Sequence, residues 1–297
     1  MALTSYLLAN YAILLKIFIF RRWRKKGRSK MNFKSIRTII DKEWAEVFKN
    51  RMVLFTMIFM PLIFTVLPLV MLYFTGQEMG DMGGVGTADV PAEFLSACSS
   101  DMTGAECMQV YLVNQFLLLF MMVPVIIPVT IAAYSIVGEK TTHSLEPLLA
   151  TPISTFELLL GKSLAASLPA IFVGWVSFGL FVAALPLLGV TKSVINYIAG
   201  PTWLLAIIIA GPLMAIASVN LTIFVSSRVN DPRTAEQIST LFLLPIFGLL
   251  FAQLAGVVVI NVMVMLSFIG GMILVDIGMV YLGTSIFQRE NILTRWK

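Results

Sequence analysis

Long apolar runs dominate the chain, and their lengths decide its class. A membrane crossing needs about 20 predominantly apolar residues. Four runs of at least that length, and a final run about two crossings long, predict six transmembrane helices. The six spans are placed at residues 53–74, 110–137, 158–190, 199–225, 238–257 and 262–287. A predicted turn near Gly256–Asn261 makes the last two spans a tight hairpin.

The composition agrees with this pattern. With 58% hydrophobic and 12% charged residues, the chain has too little polar surface to cover a soluble globule. The predicted fold class is an all-α polytopic membrane protein.

The basic residues predict the orientation of the spans. Lys and Arg close to a span tend to remain cytoplasmic. Thirteen of the 21 precede Val53, and none lies in residues 75–109, which are therefore predicted to form an external loop. We expect an integral protein of the cell (cytoplasmic) membrane, with both ends of residues 31–297 cytoplasmic. Because topology accounts for the basic excess, no nucleic-acid partner is expected.

The first 30 residues allow three interpretations. They contain a short apolar stretch followed by the basic run "RRWRKKGRSK". This segment could be an extra short helix, an interfacial anchor held by its basic tail, or an extension that precedes the functional unit. We favour the extension, because residues 31–297 make a complete unit without it.

An amphipathic helix is predicted just before the first span. Apolar residues recur there at steps of three and four, which places them on one stripe of a helix. The stripe comprises Phe33, Ile36, Ile40, Trp44 and Val47. We expect this helix to lie on the cytoplasmic membrane surface, in contact with lipid, and to lead the chain into the first span.

The two cysteines both fall in the predicted external loop. Cys98 and Cys107 could close a small loop by a disulfide in an oxidising compartment, and two free thiols are the alternative.

Catalytic and nucleotide-binding motifs are absent from the sequence. Gly161-Lys162-Ser163 resembles the end of a phosphate loop, but Phe156 occupies the position where that motif needs glycine. Lys162 is instead interpreted as a side chain that reaches towards the membrane interface. The single histidine, His143, has no partner motif for a metal site. No enzyme activity and no cofactor or metal bound by this chain are therefore expected.

Asp276 is the only acidic residue well inside a predicted span. It could be an intramembrane cation or proton site, or part of a substrate path. The alternative, which we favour from the sequence, is a hydrogen bond to a neighbouring span.

A polar segment with an apolar patch separates the second and third spans. Its sequence predicts a short helix that starts near Thr142–Leu145 and ends at Thr151-Pro152. Leu145, Leu148 and Leu149 then share one side of this helix, within a polar rim. Such a patch suits a groove on another protein, and an ordinary interfacial loop is the alternative.

The sequence "GEKTTHSLEPLLATPISTFELLLGKSL" over Gly138–Leu164 resembles the signature of ABC-2 type transporter permeases. The resemblance implies that the short helix is a coupling helix, which docks into a separate ABC-type ATP-binding subunit. The positions that match the motif are Glu139, Leu145, Glu146, Leu148, Leu149 and Pro152. The residues between Lys140 and Leu145 depart from the pattern of related sequences.

The same resemblance implies a function. It predicts the permease subunit of an ABC exporter, whose partner subunit binds ATP and Mg. It also implies a second permease copy, most simply in a homodimer, with a heterodimer as the alternative. Two other functions remain open at this point. One is an ion-coupled secondary transporter or channel that uses Asp276, and the other is a membrane scaffold without cargo.

Overall fold

The structure is a computed structural model, and it describes residues 33–81, 102–142, 153 and 155–286. The chain divides into a unit of residues 1–34 and a compact unit of residues 35–297. Within the described residues the regular secondary structure is entirely helical.

Six helical segments in the described part of the chain are long and apolar enough to cross a membrane. We number them spans 1 to 6, and they comprise Arg51–Thr75, Gly104–Thr141, Phe156–Leu188, Lys192–Ser226, Pro232–Leu254 and Val262–Tyr281. A further helix, Phe33–Val47, precedes them and is called the leading helix. The predicted all-α fold with six spans is confirmed.

Several spans are built from more than one helical piece. The helices of spans 1, 2 and 6 are continuous and comprise Arg51–Asp81, Gly104–Thr141 and Val262–Ile286. Span 3 comprises Thr155–Ala184 and a 3-10 turn, Leu185–Leu188. Span 4 comprises Lys192–Ile198, Pro201–Leu204, a π-helical stretch Leu205–Ala210 and Gly211–Ser226. Span 5 comprises Pro232–Thr240, Leu241–Leu243 and Leu244–Leu254.

The helices of spans 1 and 2 extend beyond the apolar runs that predicted them. The helix that contains span 1 continues to Asp81, and span 2 begins at Gly104. The early start of span 2 has a local cause, because Thr103 and Glu106 form a capping box. The Thr103 amide donates to the Glu106 carboxylate at 2.8 Å, and the Thr103 hydroxyl accepts from the Glu106 amide at 3.3 Å. The predicted external loop, residues 75–109, is therefore partly helical.

Span 2 lies at the centre of the bundle. In its most apolar window 89% of the residues are buried, against 17% in the corresponding window of span 3. Spans 1, 3, 4 and 5 all pack against it. The other spans leave apolar side chains exposed, such as Phe172 and Leu274, as expected for surfaces that contact lipid.

The predicted turn between spans 5 and 6 is present, but the two spans do not form the predicted tight hairpin, because span 6 packs mainly on span 4. Gly256 turns the chain with a φ of 73°, a left-handed conformation that glycine adopts without strain. Asn261 then accepts a hydrogen bond from the Val264 amide at 3.0 Å, at the start of span 6.

Candidate functional site

One side of the leading helix faces the protein interior, and this buried side includes a carboxylate. Its buried residues are Ile36, Ile39, Glu43 and Val47. Two residues of the predicted apolar stripe, Ile36 and Val47, belong to this side, whereas Phe33 is 73% exposed and Ile40 and Trp44 are half-buried. The Trp44 indole N–H donates to the carbonyl of Ala165 in span 3, at 3.0 Å. The contact of this helix with a membrane surface stays a prediction.

Glu43 lies on that side because it has a buried partner. The Lys162 ammonium lies 2.6 Å from one carboxylate oxygen of Glu43, and the two side chains are only 6% and 4% exposed. The Ser135 hydroxyl, on span 2, donates to Glu43 and accepts from Lys162 at 2.8 Å. Charged groups this far from solvent are tolerated only when they are paired and hydrogen-bonded.

Glu139 completes the arrangement from the last turns of span 2. Its carboxylate lies 2.8 Å from the Lys162 ammonium and accepts a hydrogen bond from Lys42 of the leading helix. We call Lys42, Glu43, Ser135, Glu139 and Lys162 the polar cluster. Its two carboxylates and two ammonium groups have balanced charges, and they join the leading helix, the end of span 2 and the start of span 3.

Lys42 is the most exposed charged residue of the polar cluster. Burial would lower the pKa of Lys42, but the hydrogen bond and negative charge of Glu139 outweigh it, with Glu43 and Glu46 adding to the effect. The pKa of Lys42 therefore lies above its ordinary value. This ammonium group remains charged at physiological pH and closes the solvent-facing side of the cluster.

A second set of contacts ties the same end of span 2 to the connection between spans 4 and 5. The Lys140 ammonium donates to the carbonyls of Val229 at 3.2 Å and Ser227 at 3.5 Å. Nearly three helical turns earlier in span 2, the hydroxyl of Thr130 donates to the carboxylate of Glu236 in span 5 at 2.5 Å. The end of span 2 thus contacts both the polar cluster and the connection between spans 4 and 5.

Comparison with known families identifies the chain. The family described as ABC-2 family transporter protein matches residues 37–294, which include the whole polar cluster. The chain belongs to the ABC-2 transporter family. No curated protein matches the sequence significantly. The protein is therefore the membrane component of a transporter rather than an enzyme, and its family works in general with an ATP-binding partner.

The polar cluster changes the interpretation of two residues of the permease. The interpretation of Lys162 as a side chain that reaches for the membrane interface is wrong, because its ammonium is buried between Glu43 and Glu139. Glu139, which the family motif singles out, turns its carboxylate into the protein and is 4% exposed. In this arrangement it contacts other parts of the permease rather than a partner surface.

Most residues of the predicted coupling helix lie outside the described residues. These are Leu145, Glu146, Leu148, Leu149 and Pro152. Their role stays a prediction. Cys107 is 3% exposed and takes part in a disulfide, whereas Cys98 lies outside the described residues.

Asp276 is buried in span 6 at 9% exposure. Among the described residues, none donates a hydrogen bond to either of its carboxylate oxygens, so the expected bond to a neighbouring span is not formed there. Over residues 33–81, 102–142, 153 and 155–286, no group of three His, Cys, Asp or Glu side chains is arranged to hold a metal ion.

Proposed function

We propose that this ABC-2 permease exports its substrate by conformational changes driven by a separate ATP-binding subunit. The observation that carries the proposal is the position of the polar cluster. It holds the chain just before and just after residues 143–154, the segment whose sequence resembles a coupling helix, through Glu139 on one side and Lys162 on the other.

The cluster gives this segment a mechanical connection to the spans. A displacement of the segment acts on the end of span 2 and the start of span 3 together, because both bind the same buried group of charges. The leading helix moves with them through Lys42 and Glu43. ATP then shifts the permease between two arrangements only by as much as the partner binds one of them more tightly.

The remaining parts of the proposal rest on the sequence and on what membership of the family implies. Its one GK[ST] tripeptide lacks the upstream glycine of a phosphate loop, so ATP and Mg belong to the partner subunit. Two permease copies, most simply identical, pair in the cell membrane, each with its ends on the cytoplasmic side above an ATP-binding subunit.

Purification from the native membrane tests the partnership. The intact permease is isolated in mild detergent, and the proteins that accompany it are identified by mass spectrometry. A phosphate-loop ATPase in stoichiometric amount is the expected result. Its reproducible absence, with the permease folded, would refute the proposal and favour gradient-driven transport or a scaffold role.

A pair of variants tests the docking segment. Leu148→Asp together with Leu149→Asp places charge on the predicted apolar patch, and we expect loss of the ATPase with membrane insertion retained. Leu187→Asp is the matched control, since Leu187 is an exposed leucine at 87% in the 3-10 turn that ends span 3. Retention of the ATPase by the double variant would contradict the coupling assignment.

A cluster variant separates binding from coupling. In Lys162→Met the predicted docking leucines are untouched, so the ATPase is expected to remain bound. The connection between segment and spans is lost, so ATP hydrolysis no longer drives transport in reconstituted vesicles. Unimpaired transport by a folded Lys162→Met variant would show that the polar cluster does not transmit the motion.

A further inference from the structure

Span 6 buries one stripe of side chains, and Asp276 belongs to it. Met265, Ile269, Met272 and Asp276 follow one another at steps of four, three and four residues, which places them on one face of the helix. All four are buried, whereas Leu274 is 69% exposed. The carboxyl group of Asp276 is therefore directed into the protein rather than towards lipid.

The surface that receives this stripe has no charge. Span 6 packs mainly on three pieces of span 4, Pro201–Leu204, Leu205–Ala210 and Gly211–Ser226. Their sequences contain no Asp, Glu, Lys, Arg or His. On span 6 itself, the other titratable side chain of the described residues is Tyr281, which is 46% exposed. No basic side chain in these packed segments can neutralise an Asp276 carboxylate.

Hydroxyl groups do not provide the missing stabilisation either. Ser218 and Thr222 are buried in the part of span 4 that packs on span 6. Their hydroxyls donate instead to carbonyls of their own helix, to Ala215 at 2.9 Å and to Ser218 at 2.8 Å. Within the part of the chain that the structure describes, both carboxyl oxygens of Asp276 lack a hydrogen-bond partner.

We infer that Asp276 is a proton-binding site, whose carboxyl group is a neutral acid while span 6 packs on span 4. An unpaired carboxylate is costly in an apolar environment, and binding one proton removes its charge. Release of that proton to water leaves the carboxylate and requires that water reach the contact between the two spans. Separation of spans 4 and 6 is thus linked to deprotonation, whether or not an ATP-binding subunit drives it.

Infrared spectroscopy of the whole permease in lipid bilayers tests this inference. The C=O stretch of a carboxylic acid is distinct from the bands of a carboxylate, and ¹³C-labelled aspartate shifts the aspartic acid component away from that of glutamic acid. We expect a labelled carboxylic acid band at neutral pH that is lost in Asp276→Asn. Asp231→Asn is the control and leaves the band intact, because the Thr234 backbone N–H holds the pKa of the Asp231 carboxyl below its usual value.

A second variant guards against loss of folding. Asp276→Glu keeps the carboxyl group, so the band is expected to move from the labelled aspartic acid position to the unlabelled glutamic acid position. Absence of an aspartic acid band at neutral pH, or its persistence in Asp276→Asn, would overturn the inference. Either result would show that Asp276 does not hold a proton while spans 4 and 6 are packed together. Because no ATPase enters this experiment, its outcome is independent of the proposed coupling.

Discussion

The ammonium of Lys162 lies 2.6 Å from the carboxylate of Glu43, although the two residues are 119 positions apart in the sequence. This pair joins the leading helix to span 3 in a region almost free of solvent. Glu139 extends the pair to span 2. A buried ion pair adds little net stability over apolar packing, but removal of one partner leaves an uncompensated charge.

Lys162→Met is expected to destabilise the permease strongly. It leaves the carboxylates of Glu43 and Glu139 buried without their shared cation, and breaking such pairs costs about 3–5 kcal/mol. The free energy of unfolding in detergent, from denaturant titration, measures the effect. Lys49→Met is the control, because Lys49 is exposed and surface substitutions usually change stability by less than about 0.5 kcal/mol. Equal stability of the two variants would show that the cluster is not an energetic unit.

Removal of the opposite charge should partly rescue that variant. In Lys162→Met the Glu139 carboxylate keeps Lys42, whereas Glu43 loses its ion-pair partner. Glu43→Gln in that background removes the uncompensated charge, so the double variant is expected to be more stable than Lys162→Met alone. In the wild-type background the same substitution weakens the contact with Lys162 and is destabilising. A cycle of four unfolding free energies measures the coupling. Strict additivity would mean that the two residues do not interact energetically.

The six spans could be predicted because each depends on local composition. An apolar run of membrane length is visible in a single window, and the turn at Gly256 is likewise a local feature. The apolar run predicts that span 2 starts at residue 110, but the helix starts at Gly104, because the capping box of Thr103 and Glu106 lies before the apolar run. Helix ends are set by hydrogen bonds that hydrophobicity does not report.

The polar cluster could not be predicted in the same way. Lys42 and Glu139 are 97 positions apart, and no local pattern relates them. The charges on the leading helix are typical of a solvated face, and no local pattern distinguishes Glu43 from Lys42 or Glu46. One signal was available, since Lys162 is a cation in an apolar helix and such residues usually have a buried partner. The family motif indicated Glu139 without indicating what it contacts.

The raised pKa of Lys42 leads to a prediction for the stability of the permease at alkaline pH. This pKa is raised in the folded permease by Glu139, so the stabilising contribution of Lys42 is complete below the unfolded pKa of about 10.4 and is lost as the pH rises through the higher folded pKa. Thermal midpoints of the wild type and of Lys42→Met, compared from neutral to alkaline pH, measure this contribution. Their difference is expected to be constant near neutral pH and to shrink in the alkaline range.

Lys42→Arg is the matched variant for this experiment. Arginine remains charged over the whole range, so its interaction with Glu139 does not titrate. The difference between Lys42→Arg and Lys42→Met should therefore persist at alkaline pH. If Lys42→Met and the wild type differ by the same amount at every pH, the ammonium of Lys42 does not stabilise the fold through Glu139.

Gly161 allows span 3 to approach the leading helix closely, next to Lys162 in the cluster. A Cβ atom at Gly161 would lie 2.9 Å from Cγ2 and 3.0 Å from Cβ of Ile39. Ile39 is buried and β-branched, so it cannot turn aside easily. Gly161→Ala is expected to cost about 1–3 kcal/mol, as overpacking of a buried contact usually does, and to displace the leading helix from span 3.

Gly174→Ala is the matched control, because Gly174 lies in the same helix of span 3 and its Cβ would meet no atom within 4 Å. There the substitution removes only the helix penalty of glycine, which is up to about 1 kcal/mol, and the permease is expected to become slightly more stable. Unfolding free energies of both variants decide the question. In an Ile39→Ala background the cost of Gly161→Ala should fall, since Cγ2 and Cδ1 of Ile39 are gone and only the contact with Cβ remains. A cost of Gly161→Ala that is unchanged in that background would place its cause outside the contact with Ile39.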